Sequence, residues 1–586
     1  MKPPEGLYKM PEAGPAKQVF VPEPEQLGLG QLILNIHESP VLKGGLHDSM
    51  SFAVATPNIH EGETPERTWL RVAGEYQKLQ LTDHYADSPQ QASWVFFRNN
   101  WTQPIKRDEI IAPEGHRTPR DLETHIGEII IDNMRSIPEV TPIHIALPNK
   151  HMGSGGRFAE PKWGWDDAFN QVGHRALGNA EEVRNTVENA AAMIDQRGVF
   201  SNSGLLVIER PHPELFGLMV DQLASVEGPQ VRKEFLDSML KNWSTWTAGR
   251  QELADVHGED TGMNGLSMRL PNGLFLEGVG NTGDTPRPEM YKEDLEMAHE
   301  RAKDLHLTGA AYDAEVRTFY NSVRGGALLG NDFHGGLCKD GKSLKTIDTV
   351  GRMPVHINAL LANDELIIAE TFEAMGELEM AKYFYDQVNG RLETIDTYLY
   401  NPKTKTYQDR YLDGRWAEPD ANMAYMLYTG FAPNERVNGV VDALEDYVKP
   451  GGILTTLNEA PFSWGGDTDW AMTAYPVIRG LARAGHGLGG EEGERALDLA
   501  TKGWEAFLGG TLLSFQATGQ VNERVNALDP GNPSAINHTG EYGNIDDFPT
   551  RGLVYQALKR SHPMDRSGGA VPFRYHMRRR HYGLAA

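Results

Sequence analysis

The chain has 586 residues, and 81 acidic against 56 basic side chains give it a formal net charge of −25. This charge disfavours nucleic acid as a partner, because phosphate binding needs a basic surface. The single cysteine, Cys338, excludes an intramolecular disulfide framework and a cysteine-rich metal site.

The first residues, MKPPEGLYKMPEAGP, lack the apolar core of a secretory signal. The sequence also lacks a run of about 18 apolar residues that could span a membrane. We therefore expect a cytoplasmic protein with no membrane partner, and whether a signal has been removed stays open. The basic cluster Arg574 to His581 is predicted to be a solvated tail.

Two regions differ in composition. Residues 1–120 are rich in Pro and Gly, with short alternating stretches at Gln31–Leu34 and Trp94–Phe97 that predict strands. This pattern predicts an N-terminal extension that is partly β. Residues 121–586 are mainly helical in pattern and are predicted to form the catalytic domain.

The helical spacing is clearest in four segments. Asn179 is followed three residues later by Glu182, which is typical of a helix start, and Gly198 provides an end. The apolar positions that recur at helical spacing are Val183, Val187, Ala191 and Ile194; Met380, Phe384, Val388, Leu392, Ile395 and Leu399; Val437, Val441, Leu444 and Val448; and Ala496, Ala500, Trp504 and Phe507. Helix pairs of this kind either close into a toroid or form an open array. The sequence has no fixed period of 30–50 residues, so it favours the closed form.

Two motif matches do not fit their structural context. Residues 336–343 match the phosphate-loop pattern G-x-x-x-x-G-K-S, but no buried strand precedes them and a poor helix start follows. Residues 278–283 match G-x-G-x-x-G, but Pro286 and Pro288 would break the helix that dinucleotide binding requires. We therefore predict neither an ATP site nor a dinucleotide site, and no cofactor or metal.

Several loops combine Arg, Trp, Asp and Glu. Planar polar groups bind sugar hydroxyls and aromatic faces cover C–H surfaces, so these loops suit a sugar ligand. In chain order, five segments resemble the trehalase family of inverting glycoside hydrolases: residues 155–166 (GGRFAEPKWGWD), 284–294 (DTPRPEMYKED), 317–333 (RTFYNSVRGGALLGNDF), 352–361 (RMPVHINALL) and 540–542 (GEY). The resemblance covers about residues 120 to 560 and implies a mainly α, (α/α)6 barrel.

The resemblance also implies a catalytic pair. Asp332 would be the general acid and Glu541 the general base, although they are 209 positions apart. An inverting enzyme holds two such carboxyl groups about 6.5–9.5 Å apart, which leaves room for the attacking water. Asp332 would then need a raised pKa to keep its proton near neutral pH.

By the same resemblance, a set of residues would bind the sugar, although for each arginine a structural salt bridge is the alternative. These are Arg157, Trp163, Trp165, Asp166, Asn202, Arg210, His212, Arg287, Glu289, Trp464 and Trp470. One extra residue in the tryptophan signature leaves open whether Trp163 or Trp165 takes the binding role.

Departures from the family pattern concern the pocket. His212 stands where the family has a glutamine, and Asn331 replaces a tryptophan beside the acid. We expect cleavage of a small α-glucoside, either trehalose or a related disaccharide. Glucosylglycerate, glucosylglycerol and mannosylglycerate are alternative substrates, and a sugar-binding protein without activity is a more distant alternative. The oligomeric state stays open.

Overall fold

The computed structural model describes residues 117–137, 146–155, 162–202, 210–254, 261–271, 273–280, 290–460, 462–532 and 544–565, together with Ala112, Gly115, Gly283, Pro286 and Arg287. Nearly all of the predicted N-terminal extension, including both of its predicted strands, lies outside the described residues. Its β character therefore stays a prediction.

The helices occupy most of the described chain. In the first half they are α1 (Pro119–Asn133), α2 (Gly164–Leu177), α3 (Ala180–Arg197), α4 (Phe216–Glu227), α5 (Leu236–Thr247), α6 (Arg250–Ala254), α7 (Tyr291–Asp304) and α8 (Gly309–Leu328). In the second half they are α9 (Val355–Ala374), α10 (Leu378–Tyr398), α11 (Tyr425–Thr429), α12 (Asn434–Leu444), α13 (Ala471–Leu488), α14 (Gly490–Thr518) and α15 (Pro549–Lys559).

The strands of the described residues are two or three residues long and pair antiparallel as β1–β2, β3–β4–β5, β6–β9, β7–β8, β10–β11 and β12–β13. Their bounds are β1 (Met134–Arg135), β2 (His151–Met152), β3 (Gly262–Asn264), β4 (Ser267–Arg269), β5 (Phe275–Glu277), β6 (Arg352–Met353), β7 (Tyr400–Asn401), β8 (Thr406–Tyr407), β9 (Arg410–Tyr411), β10 (Val448–Lys449), β11 (Gly452–Ile453), β12 (Thr468–Trp470) and β13 (Arg524–Asn526).

The helices form two concentric rings. Helices α2, α4, α9, α11, α13 and α15 contact one another in that order, and α15 returns to α2, so the inner ring is closed. Helices α1, α3, α5, α10, α12 and α14 pack outside it. The prediction of a closed (α/α)6 toroid is confirmed.

Burial follows this division. Inner helix α9 is buried around most of its circumference, and its buried residues include His356, Asn358, Asp364 and Glu365 beside the apolar ones. Outer helix α14 buries one stripe that includes Ala496, Ala500 and Phe507. The extent of burial around the helix therefore distinguishes inner helix α9 from outer helix α14.

Local signals place several helix ends. The side chain of Thr118 and that of Asp121 form a capping box at the start of α1. Helix α3 begins after Asn179 and ends at Gly198, whose φ of 84° is left-handed, so this predicted helix is confirmed. The side chain of Asn179 makes no cap hydrogen bond, however.

One predicted helical row ends early, and the phosphate-loop match has its backbone amides bound by a carboxylate of the same loop. Val448, predicted to extend the helical row from Val437, lies in β10 instead, because α12 ends at Leu444 and a 3-10 turn follows. In the phosphate-loop match, the backbone N–H groups of Lys342 and Ser343 donate to Asp340 Oδ1 at 2.8 and 2.9 Å. These amides are therefore engaged by the chain's own carboxylate.

Among the described residues, no helix has the length and apolar character needed to cross a bilayer.

Candidate active site

Several of the described site residues predicted from sequence lie where the inner helices begin. Trp165 lies in the first turn of α2, His212 precedes α4, and Trp470 directly precedes α13. Thr550 in the first turn of α15 donates to Asp166 Oδ1 at 3.0 Å, which joins the starts of α15 and α2. Helix N-termini are electropositive, so this end of the barrel favours carboxylates and sugar oxygens.

The loop that carries Asp332 packs against Trp165. Gly330 has a φ of 87°, and a β-carbon built there would lie 2.9 Å from Cε3 of the Trp165 ring. Trp165 is buried, and its indole N–H finds no acceptor among the described residues. Trp163, which is partly exposed, is the N-cap residue of α2. The structure thus puts Trp165 beside the loop of Asp332.

Phe333, at the end of this loop, contacts Arg287. The Arg287 guanidinium lies 4.9 Å from the ring centroid of Phe333, the residue after Asp332. The Asp294 carboxylate accepts from Arg287 Nε at 2.9 Å and from Nη2 at 2.7 Å. Arg287 is 1% exposed, and its hydrogen bonds to Asp294 fix the guanidinium group beside Phe333.

The two late tryptophans support the same residue. The backbone N–H of Trp464 donates to the Phe333 carbonyl at 3.0 Å. The indoles of Trp464 and Trp470 stack with centroids 3.9 Å apart and planes 3° apart. Both are buried, and Trp470 Nε1 donates to the Ser463 carbonyl. The stacked pair is therefore joined to the Asp332 loop through the backbone of Trp464.

His212 positions the start of α2. Its Nδ1 accepts from the backbone N–H of Trp165 at 2.9 Å, and its ring meets the Trp165 ring edge-on. Burial, with a smaller contribution from Arg210, lowers the pKa of His212 well below its usual range. The ring is therefore neutral, with its proton on Nε2.

Asn202 and Arg210 are joined by a backbone hydrogen bond close to His212. The backbone N–H of Asn202 donates to the Arg210 carbonyl, and that of Gly164 donates to the Asn202 carbonyl, both at 2.9 Å. Asn202 Oδ1 is buried and finds no donor among the described residues. Both predicted binding residues thus lie next to the start of α2.

Asp166 has an unusual protonation equilibrium. Burial raises its pKa to about 6, against the hydrogen bond from Thr550 and the charge of Lys162. Burial also lowers the pKa of Lys162 to about 7, and Lys162 forms an ion pair with Asp167. Asp166 and Lys162 therefore both titrate closer to neutral pH than free aspartate and lysine do.

Buried polar groups that the sequence analysis did not single out as catalytic or binding lie in the Asp332 loop or next to it. His356 Nε2 donates to the Leu329 carbonyl at 3.0 Å. Both ring nitrogens of the fully buried His334 and Oδ1 of Asn331 find no partner among the described residues. Burial lowers the pKa of His334 to about 3, so its ring is neutral, with one nitrogen that carries a proton and one that can accept a hydrogen bond.

Glu523 is a further carboxyl group near Trp470, and the sequence analysis did not single it out. It is 3% exposed and immediately precedes Arg524, which pairs with Trp470 across β12 and β13. The Arg524 guanidinium lies 5.8 Å from the Trp470 ring centroid. The contacts of β13 with Trp470 and of Trp464 with Phe333 link Glu523 to the Asp332 loop.

Arg157, Glu289 and Glu541 lie outside the described residues. Described neighbours of two of them meet, however. Gly155, two positions before Arg157, faces the Asp547 carbonyl, which a β-carbon at Gly155 would approach to 3.0 Å. Asp547 is six positions after Glu541.

Comparison with known proteins identifies the family of the chain. The sequence profile of the trehalase family matches residues 86–549. The periplasmic trehalase of Shigella dysenteriae serotype 1 is 26% identical over 558 residues, which cover 94% of this chain and 90% of that protein. The periplasmic trehalase of Escherichia coli K12 is 25% identical with the same coverage.

The fold has a solved counterpart. The neutral trehalase Nth1 from Saccharomyces cerevisiae superposes with a TM-score of 0.52 at 14% identity, and the match covers 78% of this chain and 85% of that one. The family match covers well over half of the residues. The chain belongs to the trehalase family of glycoside hydrolases.

Proposed function

We propose that this protein is an inverting α-glycoside hydrolase that cleaves trehalose or a related small α-glucoside. One observation carries the proposal: Trp165, Arg287 and Trp464, which come from distant parts of the sequence, all contact the Gly330–Phe333 loop, the first at Gly330 and the other two at Phe333. These contacts hold the Asp332 backbone in one position at the electropositive end of the barrel.

In this proposal Asp332 is the general acid. Its side chain is partly exposed, as a group that must reach a substrate oxygen has to be. It would protonate the glycosidic oxygen while a second carboxylate activates water on the opposite face of the sugar. The raised pKa that this role requires stays a prediction.

We propose Glu541 as the general base. It precedes Asn544 by three positions, and Asn544 is anchored to β13: its Oδ1 accepts from the Arg524 N–H and its Nδ2 donates to the Arg524 carbonyl, both at 3.0 Å. Three residues span at most about 11 Å, so this anchor supports the proposal that Glu541 lies within that distance of Asn544 and β13.

Glu523 is a second candidate for the base. The described contacts favour it, because it is a buried carboxyl group directly before Arg524, the residue that pairs with Trp470. A carboxylate that activates water benefits from nearby positive charge that keeps it ionised. The nearest Glu523 oxygen lies 3.5 Å from Arg524 Nε.

The proposed sugar-binding residues are Arg157, Trp163, Trp165, Asp166, Asn202, Arg210, His212, Arg287, Glu289, Trp464 and Trp470. The described contacts favour Trp165 over Trp163 for the position beside the acid. The buried N–H of Trp165 and Oδ1 of Asn202 suit a donor and an acceptor for hydroxyl groups.

The leaving group defines the substrate. His212 and Asn331 differ from the family pattern, and both lie beside the acid loop or its neighbour Trp165. Their change favours an altered outer subsite, so glucosylglycerate, glucosylglycerol and mannosylglycerate are candidates alongside trehalose.

The test is a hydrolysis assay on these glycosides, trehalose, kojibiose and isomaltose, with Asp332→Asn alongside. We expect one glycoside to be cleaved and the variant to lose about 10²–10⁴-fold in rate. α-Glucosyl fluoride is the matched control, because fluoride leaves without a proton. Asp332→Asn should still hydrolyse it. Equal loss on both substrates would contradict the acid role, and sugar binding without cleavage by the unaltered protein would indicate a non-catalytic protein.

The same fluoride assay separates the two base candidates. Removal of the true base abolishes hydrolysis of both α-glucosyl fluoride and the natural glycoside, because water activation is needed in each case. We therefore compare Glu541→Gln with Glu523→Gln. The variant that loses both activities while retaining its thermal stability identifies the base.

The compartment is also a proposal. The sequence predicts a cytoplasmic protein, whereas the bacterial relatives are named periplasmic trehalases. Fractionation of the source cells, followed by detection of the protein, distinguishes the two.

A further inference from the structure

A buried ion pair joins the start of α15 to β12. Arg551, in the first turn of α15, and Asp469, in the middle of β12, are both fully buried. Arg551 Nη1 donates to Asp469 Oδ2 at 2.8 Å, and Nη2 donates to the Asp469 carbonyl at 2.6 Å. The guanidinium group therefore binds both the side chain and the main chain of the residue before Trp470.

The third nitrogen of this guanidinium group reaches Glu523. Arg551 Nε donates to the Glu523 carbonyl at 3.3 Å. The backbone N–H of the same glutamate donates to the Ile545 carbonyl at 2.8 Å. Both backbone hydrogen-bonding groups of Glu523 are thus engaged, and one of them is held by Arg551.

Further contacts fix the two partners of the ion pair. Arg551 Nη1 also donates to Thr511 Oγ1 of α14 at 3.2 Å, and its guanidinium carbon lies 5.0 Å from the Phe507 ring centroid. Asp469 Oδ1 accepts from the Ile453 N–H at 2.7 Å. Burial raises the pKa of Asp469, and the charge of Arg551 opposes this shift. The orientation of Arg551 is therefore determined by α14 and β12 together.

Strand β13 connects this ion pair to both candidate bases. Glu523 directly precedes β13, and Asn544, three positions after Glu541, forms two hydrogen bonds with Arg524 of that strand. Arg524 also pairs with Trp470 of β12. A displacement of β13 would therefore move Glu523 directly and would also move Asn544, the described anchor that follows Glu541.

We propose that Arg551 is a positioning residue for the hydrolysis proposed above, on which this role depends: it fixes β13, and with it the carboxylate that activates water, relative to Trp470. A lysine at position 551 keeps a positive charge beside Asp469 but presents one ammonium group instead of a fork of three nitrogens. It can therefore keep the ion pair and lose the contact with the Glu523 carbonyl.

The test compares Arg551→Lys with the unaltered chain on the cleaved glycoside and on α-glucosyl fluoride. A misplacement of about 1 Å costs up to about 10²-fold in rate, so we expect kcat to fall about 10- to 100-fold. The fall should be similar on both substrates, because both need activated water. KM should change by less than about threefold, since the sugar-binding groups stay in place. Arg551→Met is less suitable, because it leaves the Asp469 carboxylate buried without its partner.

Arg232→Lys is the matched control. Arg232 forms ion pairs with Asp221 of α4 and with Glu370 of α9. Glu370 is 15 residues beyond Val355, the first residue of α9, so this arginine lies about 22 Å along the helix axis from the end of α9 that contacts the Asp332 loop. The control variant should lose stability and keep both kcat and KM.

Hydrogen exchange of the backbone amides adds a measurement that does not require turnover. Arg551→Lys should accelerate exchange in peptides that cover β12 and β13, and Arg232→Lys should not. If the unaltered chain hydrolyses no glycoside but the Arg551 variant exchanges faster there, the fixing of β13 is supported and only the proposed function is contradicted. Unchanged exchange with unchanged kcat, or a loss confined to the glycoside, would overturn the positioning role.

Discussion

The ring of Trp165 packs against Gly330, which is two positions before Asp332. A β-carbon at position 330 would come within 2.9 Å of two ring atoms of Trp165, and the φ of 87° is itself a conformation that favours glycine. The position of the proposed acid therefore depends on a contact that only glycine permits.

Replacement of Gly330 by alanine should consequently impair both stability and catalysis. The left-handed backbone costs about 1–2 kcal/mol for a residue with a β-carbon, and the contact with Trp165 adds to this. We expect a lower unfolding midpoint in urea and a lower kcat. Gly376→Ala is the matched control, since its φ is 82° but no atom lies within 4 Å of the added carbon. If the two variants behave alike, the contact with Trp165 is not important.

His212 is expected to act through Trp165. The His212→Ala change removes the acceptor for the Trp165 N–H in the first turn of α2, at a cost comparable to that of a lost helix cap, about 0.5–2 kcal/mol. His212→Gln keeps an acceptor and should recover most of the stability. Chemical denaturation measures this effect, and steady-state kinetics shows whether KM or kcat changes. Equal stability of both variants and the unaltered chain would contradict the positioning role.

A buried carboxyl cluster between α4 and α9 predicts the pH dependence of stability. Burial raises the pKa of Glu214 to about 7, and burial together with the charge of Glu214 raises that of Asp364 well above its usual range. Groups with raised folded-state pKa values stabilise the fold below their unfolded pKa. This stabilisation is lost as the pH rises towards and through the folded values.

We therefore expect the contribution of this cluster to the free energy of unfolding to fall as the pH rises towards about 7, by up to roughly 1 kcal/mol per pH unit for each proton released. Lys162, whose lowered pKa is also about 7, acts in the opposite direction above that pH. The buried neutral histidines, such as His356 with a pKa of about 4, act in the opposite direction, but their contribution no longer changes with pH above the unfolded pKa near 6.5. Asp364→Asn should flatten the decline, whereas Glu379→Gln on the exposed surface of α10 should not. An equal slope in all three proteins would exclude the cluster as the cause.

Helix periodicity and local end signals predicted much of this fold. The row from Val183 to Ile194 and the end at Gly198 describe α3 as it is found, because both depend on neighbouring residues. The row that ends at Val448 was wrong, because apolar spacing continued into β10 after the helix had ended. Local spacing cannot reveal where a chain turns towards a strand partner.

The site is a different case. Asp332 was predicted from a family resemblance, but its contacts depend on residues more than 40 positions away, and no local pattern links Trp165 to Gly330. Glu523 escaped notice because one glutamate in VNERVN carries no spacing signal. The pairing of Glu214 with Asp364 likewise arises from helix packing across 150 positions. Arg157, Glu289 and Glu541 stay predictions from sequence.

The anomeric form of the first product tests the central claim most directly. Proton NMR during the first minutes of hydrolysis, before mutarotation, distinguishes the two stereochemical courses for whichever α-glycoside is cleaved. Inversion predicts that the sugar released from the cleaved bond appears as the β-anomer, which for trehalose means β- and α-glucose in equal amounts. Release of the α-anomer alone would contradict the inverting mechanism and the acid–base pair proposed for it.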